Sequence, residues 1–377
     1  MDLPALLPLA AAAWWLVSCS VRTGAAAAAL VQPWLRRRQR ARQDRPPVSI
    51  VIPVRRLEND ADAALASAFR QVYPRVEVLV SAQQQASPML DLAARVAARH
   101  PDTPSRVLRG NPQFTPNPKV SNLAPAIAAA RYDLILVKDA NVRLESDQLG
   151  EFVGRLTPGI GMVCAVPIGV APLGFAAEIE CAVLNGHAAP LMFGASLLRI
   201  TVGFGKIMLF ERGNFYRAGG IAAIADTFGD DQALAKALAR IGLRTVFAGG
   251  VIRQTLGRRS LREVCDRQLR WLVIRRCEEP LVLLSEPLFY WGFTAAAGAA
   301  GAQLLDLPAG LAAAATIALL LALETAVVAL KGWGWSWQFP LAGLCREILM
   351  PALWVESWFL RSVTWGGTSF PVPGRSR

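Results

Sequence analysis

Val48-Ser-Ile-Val-Ile52 opens the polar middle part of this 377-residue chain and has the β-branched, uncharged composition of a buried strand. Each of the apolar runs that follow is succeeded by a loop and usually by an Ala-rich helical stretch, which is typical of βα units around a mainly parallel sheet. The sequence therefore predicts an α/β domain that binds its ligands at the carboxyl ends of the strands. The further strands that we predict are Val76 to Val80, Arg106 to Leu108, Leu134 to Val137 and Met162 to Val166.

The composition indicates that this domain is attached to a membrane. Hydrophobic residues make up 53% of the chain, charged residues 18%, and the mean hydropathy is +0.34, which is too apolar for a wholly soluble protein. Much of the net charge of +12 lies in two clusters, Arg36 to Arg45 and Arg253 to Arg276. The first follows an apolar segment, as basic residues do on the cytoplasmic side of a membrane, and the second contains candidate phosphate ligands. This distribution argues against a nucleic-acid partner.

Apolar segments at both ends predict three parts. Residues 1–35 form a membrane anchor, because Leu3 to Val21 is long enough to span a bilayer and Asp2 stands where a signal peptide would have a basic start. The positive-inside rule then places a domain over 46–279 in the cytosol.

The third part, 280–377, is a membrane region with three apolar stretches long enough to span. The last of the three could instead lie at the membrane interface. Charged residues inside such stretches, here Glu324, Arg346 and Glu347, should face protein or headgroups. The stretches are Leu281 to Leu305, Leu307 to Leu330 and Gln338 to Leu360.

Two aspartates are candidates for proton transfer and for metal binding. Asp231, after Gly229-Asp230, begins a predicted helix that ends at Ile241, and its carboxylate could take the proton of an acceptor hydroxyl. An acidic residue in a first helical turn is also favoured by the helix dipole alone. Asp139 follows the strand that ends at Val137 and could meet a metal-bound diphosphate, although a turn or cap role explains it equally well.

Three basic residues are candidates for holding the diphosphate. Lys119 precedes an Ala-rich helix whose N-terminal N–H groups could bind phosphate, while the alternative is simple capping by Ser121 or Asn122. Arg267 and Arg270 share one face of a predicted helix from Ser260 to Arg276 and could clamp a diphosphate. The same helix could instead be a basic amphipathic segment that rests on anionic lipid.

His187 is one of two histidines and lies in an apolar, Gly-rich segment from Pro172 to Phe210 that could follow the membrane surface. It has no Cys or second His at ligand spacing, so we interpret it as a core or acceptor-pocket residue. The six cysteines show no CxxC pairing and are interpreted as reduced and structural.

Taken together, these motifs resemble the ceramide glucosyltransferase family, which are membrane-bound inverting glycosyltransferases with a Rossmann-like type A fold. An N-terminal membrane anchor, a cytosolic catalytic domain and C-terminal transmembrane helices also occur in that order in the family. The resemblance implies a bacterial type in the cytoplasmic (inner) membrane. The matching segments are Val48 to Pro53, Asn117 to Leu123, Asp139, Gly205 to Leu209, Ala218 to Gly220, Gly229 to Asp231, Arg267 to Trp271 and Arg346-Glu347.

The resemblance also implies roles for single residues. Asp231 would be the general base, and Asp139 would bind the nucleotide together with a divalent Mg²⁺ or Mn²⁺ ion. The acceptor side would include Glu180, His187 and Trp271. The donor and its diphosphate would be bound by Gln84, Lys119, Asn122, Asp139, Arg267, Arg270 and Trp271.

The chain departs from the family pattern after its second strand. Where the family has its first Asp, this chain has Gln84 within an uncharged segment, and Asn141 replaces the second acid of an Asp-x-Asp motif. A glutamine can hydrogen-bond a uracil or ribose, but it carries no charge.

The reaction implied is transfer of a hexose, most simply glucose from UDP-glucose, to the primary hydroxyl of ceramide or a similar lipid, with inversion. One alternative is a transferase for a hopanoid or diacylglycerol with another UDP-sugar donor. Another is a non-catalytic membrane protein that senses a nucleotide or lipid, since the first Asp is missing. A processive polysaccharide synthase is disfavoured, because it would need more spanning helices and usually has Gln where Arg267 stands.

Overall fold

The computed structural model describes residues 3–37, 42–227, 229–365 and 368–371. Residues 38–41 of the predicted Arg36 to Arg45 cluster, and the end of the predicted membrane region after residue 371, lie outside the described residues. The chain forms two compact units. The sheet unit comprises Val31–Val170 and Ala195–Gly257, and the helical unit comprises Met1–Leu30, Ala171–Gly194 and Arg258–Arg377. Residues 171–194 and 258–279, which the sequence assigns to the cytosolic domain, group with the terminal helices.

The sheet has seven strands in the order β3-β2-β1-β4-β6-β5-β7. All five strands predicted from the sequence are present. β1 pairs in parallel with β2 and β4, and β2 with β3, whereas β6 is antiparallel to both β4 and β5. The strands are β1 (Val48–Pro53), β2 (Val76–Ser81), β3 (Ser105–Leu108), β4 (Leu134–Lys138), β5 (Ile160–Leu173), β6 (Ile207–Glu211) and β7 (Arg244–Arg258), and β8 (Ser362–Trp365) forms a hairpin with β9 (Thr368–Pro371).

The helices of the sheet unit lie mostly between its strands. They are α2 (Ala61–Phe69), α3 (Pro88–Ala98), α4 (Pro118–Ala129), α5 (Gln148–Arg155), α8 (Arg212–Arg217) and α9 (Asp230–Arg240). The remaining helices are α1 (Leu3–Arg37), α6 (Phe175–Cys181), α7 (Ala189–Leu197), α10 (Leu261–Glu278), α11 (Pro280–Ser285), α12 (Trp291–Gly301), α13 (Ala309–Lys331) and α14 (Phe339–Ser357). A π-helix, Ala182–Ala188, joins α6 to α7.

The central strands are buried on both faces. In β1, Ile50 and Val51 point to opposite faces of the sheet, and both side chains are inaccessible to solvent. Helices that cover both faces of a parallel sheet leave no polar side for its strands, which explains the uninterrupted apolar runs in the sequence. Because β1 and β4 are parallel neighbours, their carboxyl ends adjoin at one edge of the sheet. Asp139 directly follows β4 at this edge.

Two helical segments among the described residues are long and apolar enough to cross a membrane, Leu6–Gln32 and Ala309–Lys331. The first shows that Arg22, which interrupts the apolar sequence, does not interrupt the helix. Its side chain is buried, with Nη1 3.6 Å from Glu324 Oε1 and Nη2 donating to the carbonyl of Phe289. Pairing inside the helical unit removes the charge of Arg22 from contact with lipid.

The predicted span from Leu281 to Leu305 does not form one continuous helix. It is divided into α11, a 3₁₀ turn over Glu286–Phe289 and α12, and Tyr290 between them is extended. Pro287 explains the end of α11, because proline has no backbone N–H to donate to the preceding turn. The other two predicted stretches are helical, as α13 and α14.

Glu324 of α13 and Arg346 and Glu347 of α14 face protein, as the sequence predicts. Arg346 is 1% exposed, with Nη1 2.7 Å from Glu324 Oε2 and Nη2 2.7 Å from Glu347 Oε1. Its guanidinium also lies 5.1 Å from the centre of the Trp291 ring. With Arg22, the cluster joins three helices, α1, α13 and α14, through paired charges, and its stability depends on every charge keeping its partner.

Replacing Arg346 with Met is expected to destabilise the protein strongly. The change removes the nearest cation of both carboxylates and leaves Glu324 with only its longer contact of 3.6 Å to Arg22, and breaking one side of a buried ion pair costs about 3–5 kcal/mol. The measurement is the thermal unfolding midpoint of purified protein in detergent. Arg262→Met, at an exposed position of α10 in the same unit, is the matched control. Equal midpoints for the two variants would show that the buried network contributes little.

Candidate active site

Lys119 connects three segments at the carboxyl end of β4. The Asn117 side chain caps α4 by accepting hydrogen bonds from the Lys119 and Val120 N–H groups, which places Lys119 in the first helical turn. Its Nζ lies 3.3 Å from Asp139 Oδ1 and 2.9 Å from Asp230 Oδ2, and it donates to the carbonyl of Gly205. One ammonium group thus bridges the end of β4, the start of α9 and the loop before β6.

Lys206 brings a second cation to the same carboxylate. Its Nζ lies 3.0 Å from Asp139 Oδ2 and donates to Asn141 Oδ1 at 3.0 Å. The antiparallel pairing of β4 with β6 places Lys138 opposite Ile207 and so brings residue 206 beside residue 139. Lys206 lies within the Gly205 to Leu209 motif, which predicts no role for it. Only that motif indicated Lys206, because the strand pairing that brings it to Asp139 joins residues almost 70 positions apart in the sequence.

Asp230 and Asp231 occupy the first turn of α9 and differ in their surroundings. Asp230 is 4% exposed and faces Lys119, whereas Asp231 is half-buried and accepts from the Gln232 N–H at 3.0 Å. The Gly205 N–H also bonds to the Asp231 carboxylate. Asp231 is therefore the member of the pair that keeps some exposure, as a residue that exchanges a proton with a substrate needs.

The charges of this cluster separate the pKa values of its carboxyl groups. Burial raises the pKa of Asp231 to about 7 and the negative charge of Asp230 adds to this, while Lys119 and two backbone N–H groups oppose it. Burial would also raise the pKa of Asp139, but Lys119 and Lys206 hold that pKa down, at about 2. Two carboxyl groups whose environments separate their pKa values in this way suit different roles, one as a fixed anion and one as a proton acceptor.

Two glycines allow the cluster to close. A Cβ atom on Gly205 would lie 2.9 Å from Lys119 Nζ and 3.2 Å from Asp231 Oδ2. A Cβ atom on Gly203 would lie 2.1 Å from the carbonyl oxygen of Asp231, which no side chain tolerates. The loop before β6 therefore approaches α9 at a distance that only glycine permits. Sequence reasoning did not identify Gly203.

Gln84 and Asn122, which the sequence predicts on the donor side, lie near the ends of β2 and β1. Gln84 is in the loop after β2, and its Oε1 is buried without a hydrogen-bond partner in the described part of the chain. Asn122 is 2% exposed and donates through Nδ2 to the carbonyl of Val54, which holds α4 against the end of β1. Its Oδ1 has no partner among the described residues. Donor binding by either residue stays a prediction.

The predicted basic helix is α10 of the helical unit, and a capping box between Ser260 and Glu263 starts it. Arg267 Nε lies 3.1 Å from Glu180 Oε1, and Arg259 Nε lies 2.7 Å from Glu180 Oε2. Glu180 is inaccessible to solvent, so both arginines balance a buried charge. Arg259 lies outside the Arg267 to Trp271 motif, so the motif does not predict its contact with Glu180.

Trp271 and Arg270 complete the basic motif on α10. The guanidinium of Arg267 lies 5.4 Å from the centre of the Trp271 ring, within the range of a cation–π contact. Arg270 lies one turn after Arg267 on the same helix. The roles predicted for this motif on the diphosphate and acceptor side stay predictions.

His187 lies in the π-helix of the helical unit. Its Nδ1 is 2.9 Å from Arg22 Nη1, and the two residues line a small cavity of about 10 Å³ together with Glu324 and apolar side chains. That volume is the size of about one water molecule. An acceptor role for His187 stays a prediction.

The family follows from a comparison over almost the whole chain. The model of Glycosyl transferase family 21 matches residues 14–376. The chain belongs to this family. It is therefore a glycosyltransferase, and the resemblance predicted from its motifs is confirmed.

Curated relatives of this family 21 member are ceramide glucosyltransferases. That of Komagataella phaffii is 34% identical over 113 residues, which are 29% of this chain and 22% of the relative. Ceramide glucosyltransferase 1 of Caenorhabditis elegans is 23% identical over 245 residues, 64% of this chain and 53% of the relative. The chain thus spans about half or less of the length of these relatives. Together with the two apolar helices, they indicate a membrane-associated glycosyltransferase.

A solved structure confirms the fold class. A mannosyltransferase from Pyrobaculum calidifontis, in complex with GDP-Man and Mn²⁺, superimposes with a TM-score of 0.54 at 18% identity and covers 93% of this chain and 99% of its own. At this identity the likeness shows the fold alone. That fold is the α/β type A fold that the sequence predicts.

The oxygen atoms that could hold a divalent ion in this family 21 member belong to Asp139 and Asn141. In the described part of the chain, no three His, Cys, Asp or Glu side chains converge to bind a metal unaided. Mg²⁺ usually takes one or two carboxylates and completes its shell with substrate phosphates and water, so the pair fits a partial set of ligands. Both oxygens already accept from Lys206, and an incoming ion must therefore compete with its ammonium group.

Proposed function

We propose that this chain transfers a hexose, most simply glucose from UDP-glucose, to the hydroxyl of ceramide or a similar lipid, with inversion at the anomeric carbon. The observation that carries the proposal is the pair of unequal carboxyl groups at the end of the sheet. Asp139 is a fixed anion between two lysines, and Asp231 has a pKa near neutrality and is only half-buried. Membership of family 21 supplies the reaction class.

In this mechanism Asp231 takes the proton from the acceptor hydroxyl as its oxygen bonds to the anomeric carbon. The bond between that carbon and the diphosphate oxygen breaks on the opposite face, and the electron pair leaves with the nucleoside diphosphate. Lys119 and Lys206 contribute positive charge where the leaving group becomes more negative. A Mg²⁺ or Mn²⁺ ion held by Asp139, with Asn141 beside it, would supply further charge neutralisation when bound.

The basic motif of α10 is proposed to serve the diphosphate and the acceptor. The carboxylate of Glu180 is paired with Arg267. We therefore propose that Glu180 positions this arginine. Arg270 and Trp271 would then contact the substrates, and Arg270→Ala should weaken donor use without loss of membrane insertion. His187 would lie on the acceptor side.

The acceptor is proposed to be a membrane lipid because the chain carries two candidate spans. We propose a multi-pass arrangement in a bacterial inner membrane, with the sheet unit in the cytosol beside its UDP-sugar. A hopanoid or diacylglycerol acceptor with another UDP-sugar is the second candidate, since Gln84 stands in place of a carboxylate on the donor side.

Lipid chromatography tests the proposal directly. Membranes that contain the protein are given ceramide and a panel of labelled UDP-sugars, with Asp231→Asn membranes alongside. A new glycolipid that depends on Asp231 supports the proposal and identifies its donor. If product formed with hopanoid or diacylglycerol but not with ceramide, the proposed acceptor would be wrong. If the protein bound UDP but formed no product with any lipid, a sensor would be favoured.

Removal of divalent ions is expected to lower the affinity for UDP, and the size of this loss should depend on Lys206. In the wild type the ammonium group remains beside Asp139 after chelation, so the affinity for UDP should fall less than about tenfold in EDTA. Lys206→Met removes charge-assisted hydrogen bonds worth about 1.5–3 kcal/mol each, and its UDP affinity should then depend on Mn²⁺ by more than about tenfold. Calorimetric titration with UDP, with and without Mn²⁺, measures both. If the wild type and the variant lost the same UDP affinity in EDTA, Lys206 would not compete with the metal ion for Asp139.

A further inference from the structure

A polar cavity lies in the sheet unit, at the opposite end of the sheet from Asp139. Its volume is about 390 Å³, and it opens where β5 and β7 begin, beside Ile160 and Arg244. β4 and β5 both pair antiparallel to β6, so they run in the same direction. The start of β5 is therefore at the opposite edge of the sheet from Asp139, and the cavity is a separate site.

The lining of the cavity carries an excess of positive charge. Three arginines line it, Arg155 from the end of α5, Arg199 from the loop after α7, and Arg244 from β7, and no carboxylate is among the described residues of its lining. Glu151, an acid on α5, offsets part of the charge of Arg155, while its Oε1 accepts from the N–H groups of Gly249 and Gly250. Three guanidinium groups around one space favour an anion between them, although solvent screens part of the charge of Arg199 and Arg244, which are exposed.

Unsatisfied polar atoms point to the same conclusion. Arg155 Nη1 and Thr245 Oγ1 are buried and have no hydrogen-bond partner in the part of the chain that the structure describes. Buried donors of this kind are uncommon in folded proteins and require a partner. Phosphate oxygens suit them, because guanidinium groups form strong charge-assisted hydrogen bonds with phosphate.

The anchor helix identifies the source of the phosphate. Leu35 of α1 lines the cavity, and the candidate membrane span of that helix ends only three residues earlier, at Gln32. A site at this point of the chain lies at the depth of the lipid headgroups. The volume also exceeds what one phosphate ion fills and is within the usual range for small-molecule sites. We propose that this cavity binds the phosphate headgroup of an anionic phospholipid.

Occupation of the cavity has a route to the carboxylates. The carbonyl of Thr201, also in the lining, accepts from Gln232 Nε2 at 3.4 Å, and Gln232 Oε1 accepts from the Gly203 N–H at 2.7 Å. The N–H of Gln232 in turn donates to Asp231. A headgroup held by Arg199 would steady the loop that positions Asp231 and so raise kcat. This consequence rests on the proposed function, whereas headgroup binding does not.

The test uses the full chain in detergent, titrated with dihexanoyl phosphatidylglycerol, dihexanoyl phosphatidylcholine and inorganic phosphate, each below micelle formation. Three variants accompany the wild type: Arg155→Gln/Arg199→Gln/Arg244→Gln, the single change Arg199→Gln, and a control with the same loss of charge. The control is Arg70→Gln/Arg95→Gln/Arg240→Gln, at exposed positions of the sheet unit. Thermal unfolding of each variant verifies folding, and Arg199→Gln keeps the test valid if the triple variant does not fold.

The wild type and the control are expected to bind phosphatidylglycerol at least about tenfold more tightly than phosphatidylcholine, since the two lipids differ in headgroup charge. The triple variant should lose that preference, and Arg199→Gln should reduce it. Equal binding of both lipids, or an equal loss in the control, would overturn the proposal. Inorganic phosphate that binds as tightly as phosphatidylglycerol would also overturn it and leave a site for free anions. Because binding is measured without a sugar donor, its failure is distinguishable from failure of the transfer reaction.

Discussion

Asp231→Asn is expected to lower kcat/KM for sugar transfer by about 10²–10⁴-fold, which is the usual contribution of a positioned general base. Asparagine has almost the same shape and can still accept from the Gln232 N–H, so α9 should begin at the same residue. What the variant lacks is a group that can accept the proton of the acceptor hydroxyl. The measurement is the initial rate of glycolipid formation with saturating UDP-sugar.

The matched control separates catalysis from helix capping. Asp91 is an exposed acid in the first turn of α3. The helix dipole stabilises its charge there, as it does the charge of Asp231 in the first turn of α9. Asp91→Asn should therefore lose a similar small amount of stability and keep full activity. If both variants transferred sugar at the wild-type rate, Asp231 would be a capping residue and the general base would have to be sought elsewhere.

The pH profile provides a second readout of the same residue. A general base works only when deprotonated, and burial together with Asp230 raises the pKa of Asp231 to about 7. kcat/KM should therefore be constant above that pH and should fall about tenfold for each unit below it. The residual activity of Asp231→Asn should lack this acid limb. A wild-type profile that stays flat down to pH 5 would mean that no group of this pKa takes part.

The sequence predicted the parallel part of the sheet well because burial on both faces leaves a strong signal. β1 and β4 are uninterrupted apolar runs, and their bounds match the structure to within a residue. β6 and β7 were not predicted. β6 follows a Gly-rich loop within a long apolar segment that has no strand periodicity of its own, and β7 carries Gly249, Gly250 and charged residues that weaken a strand pattern.

The candidate site shows the same division between local and distant information. Asp139, Lys119 and Asp231 each stand beside a recognisable local signal, a strand end or a helix start, and the structure brings these three together. Lys206 and Gly203 reach the cluster only through the antiparallel pairing of β6 with β4 and the close approach of a loop to α9. Neither relation can be read from residue spacing, because both depend on tertiary packing.

Lys119→Met is expected to have the second large effect, through charge instead of proton transfer. Lys119 is the cation that binds both Asp139 and Asp230, and its positive charge lowers the pKa of Asp231. Without it, that pKa should rise, so the acid limb should move to a pH more than about one unit higher, and the rate at pH 7 should fall at least about fivefold. Donor affinity should fall as well, because a cation beside the diphosphate is lost.

A second change distinguishes electrostatics from simple misfolding. Asp230 is 4% exposed and would be left as a buried carboxylate without its partner, which costs stability. Adding Asp230→Asn removes that charge, and it also removes the anion that raises the pKa of Asp231. The double variant Lys119→Met/Asp230→Asn should therefore regain stability and bring the acid limb back towards pH 7, while donor affinity stays low. Lys236→Met, further along α9, is the control for loss of a lysine. If the acid limb of Lys119→Met stayed near pH 7 although the protein was folded, the charges around Asp231 would not set its pKa, and its assignment as the base would lose its electrostatic support.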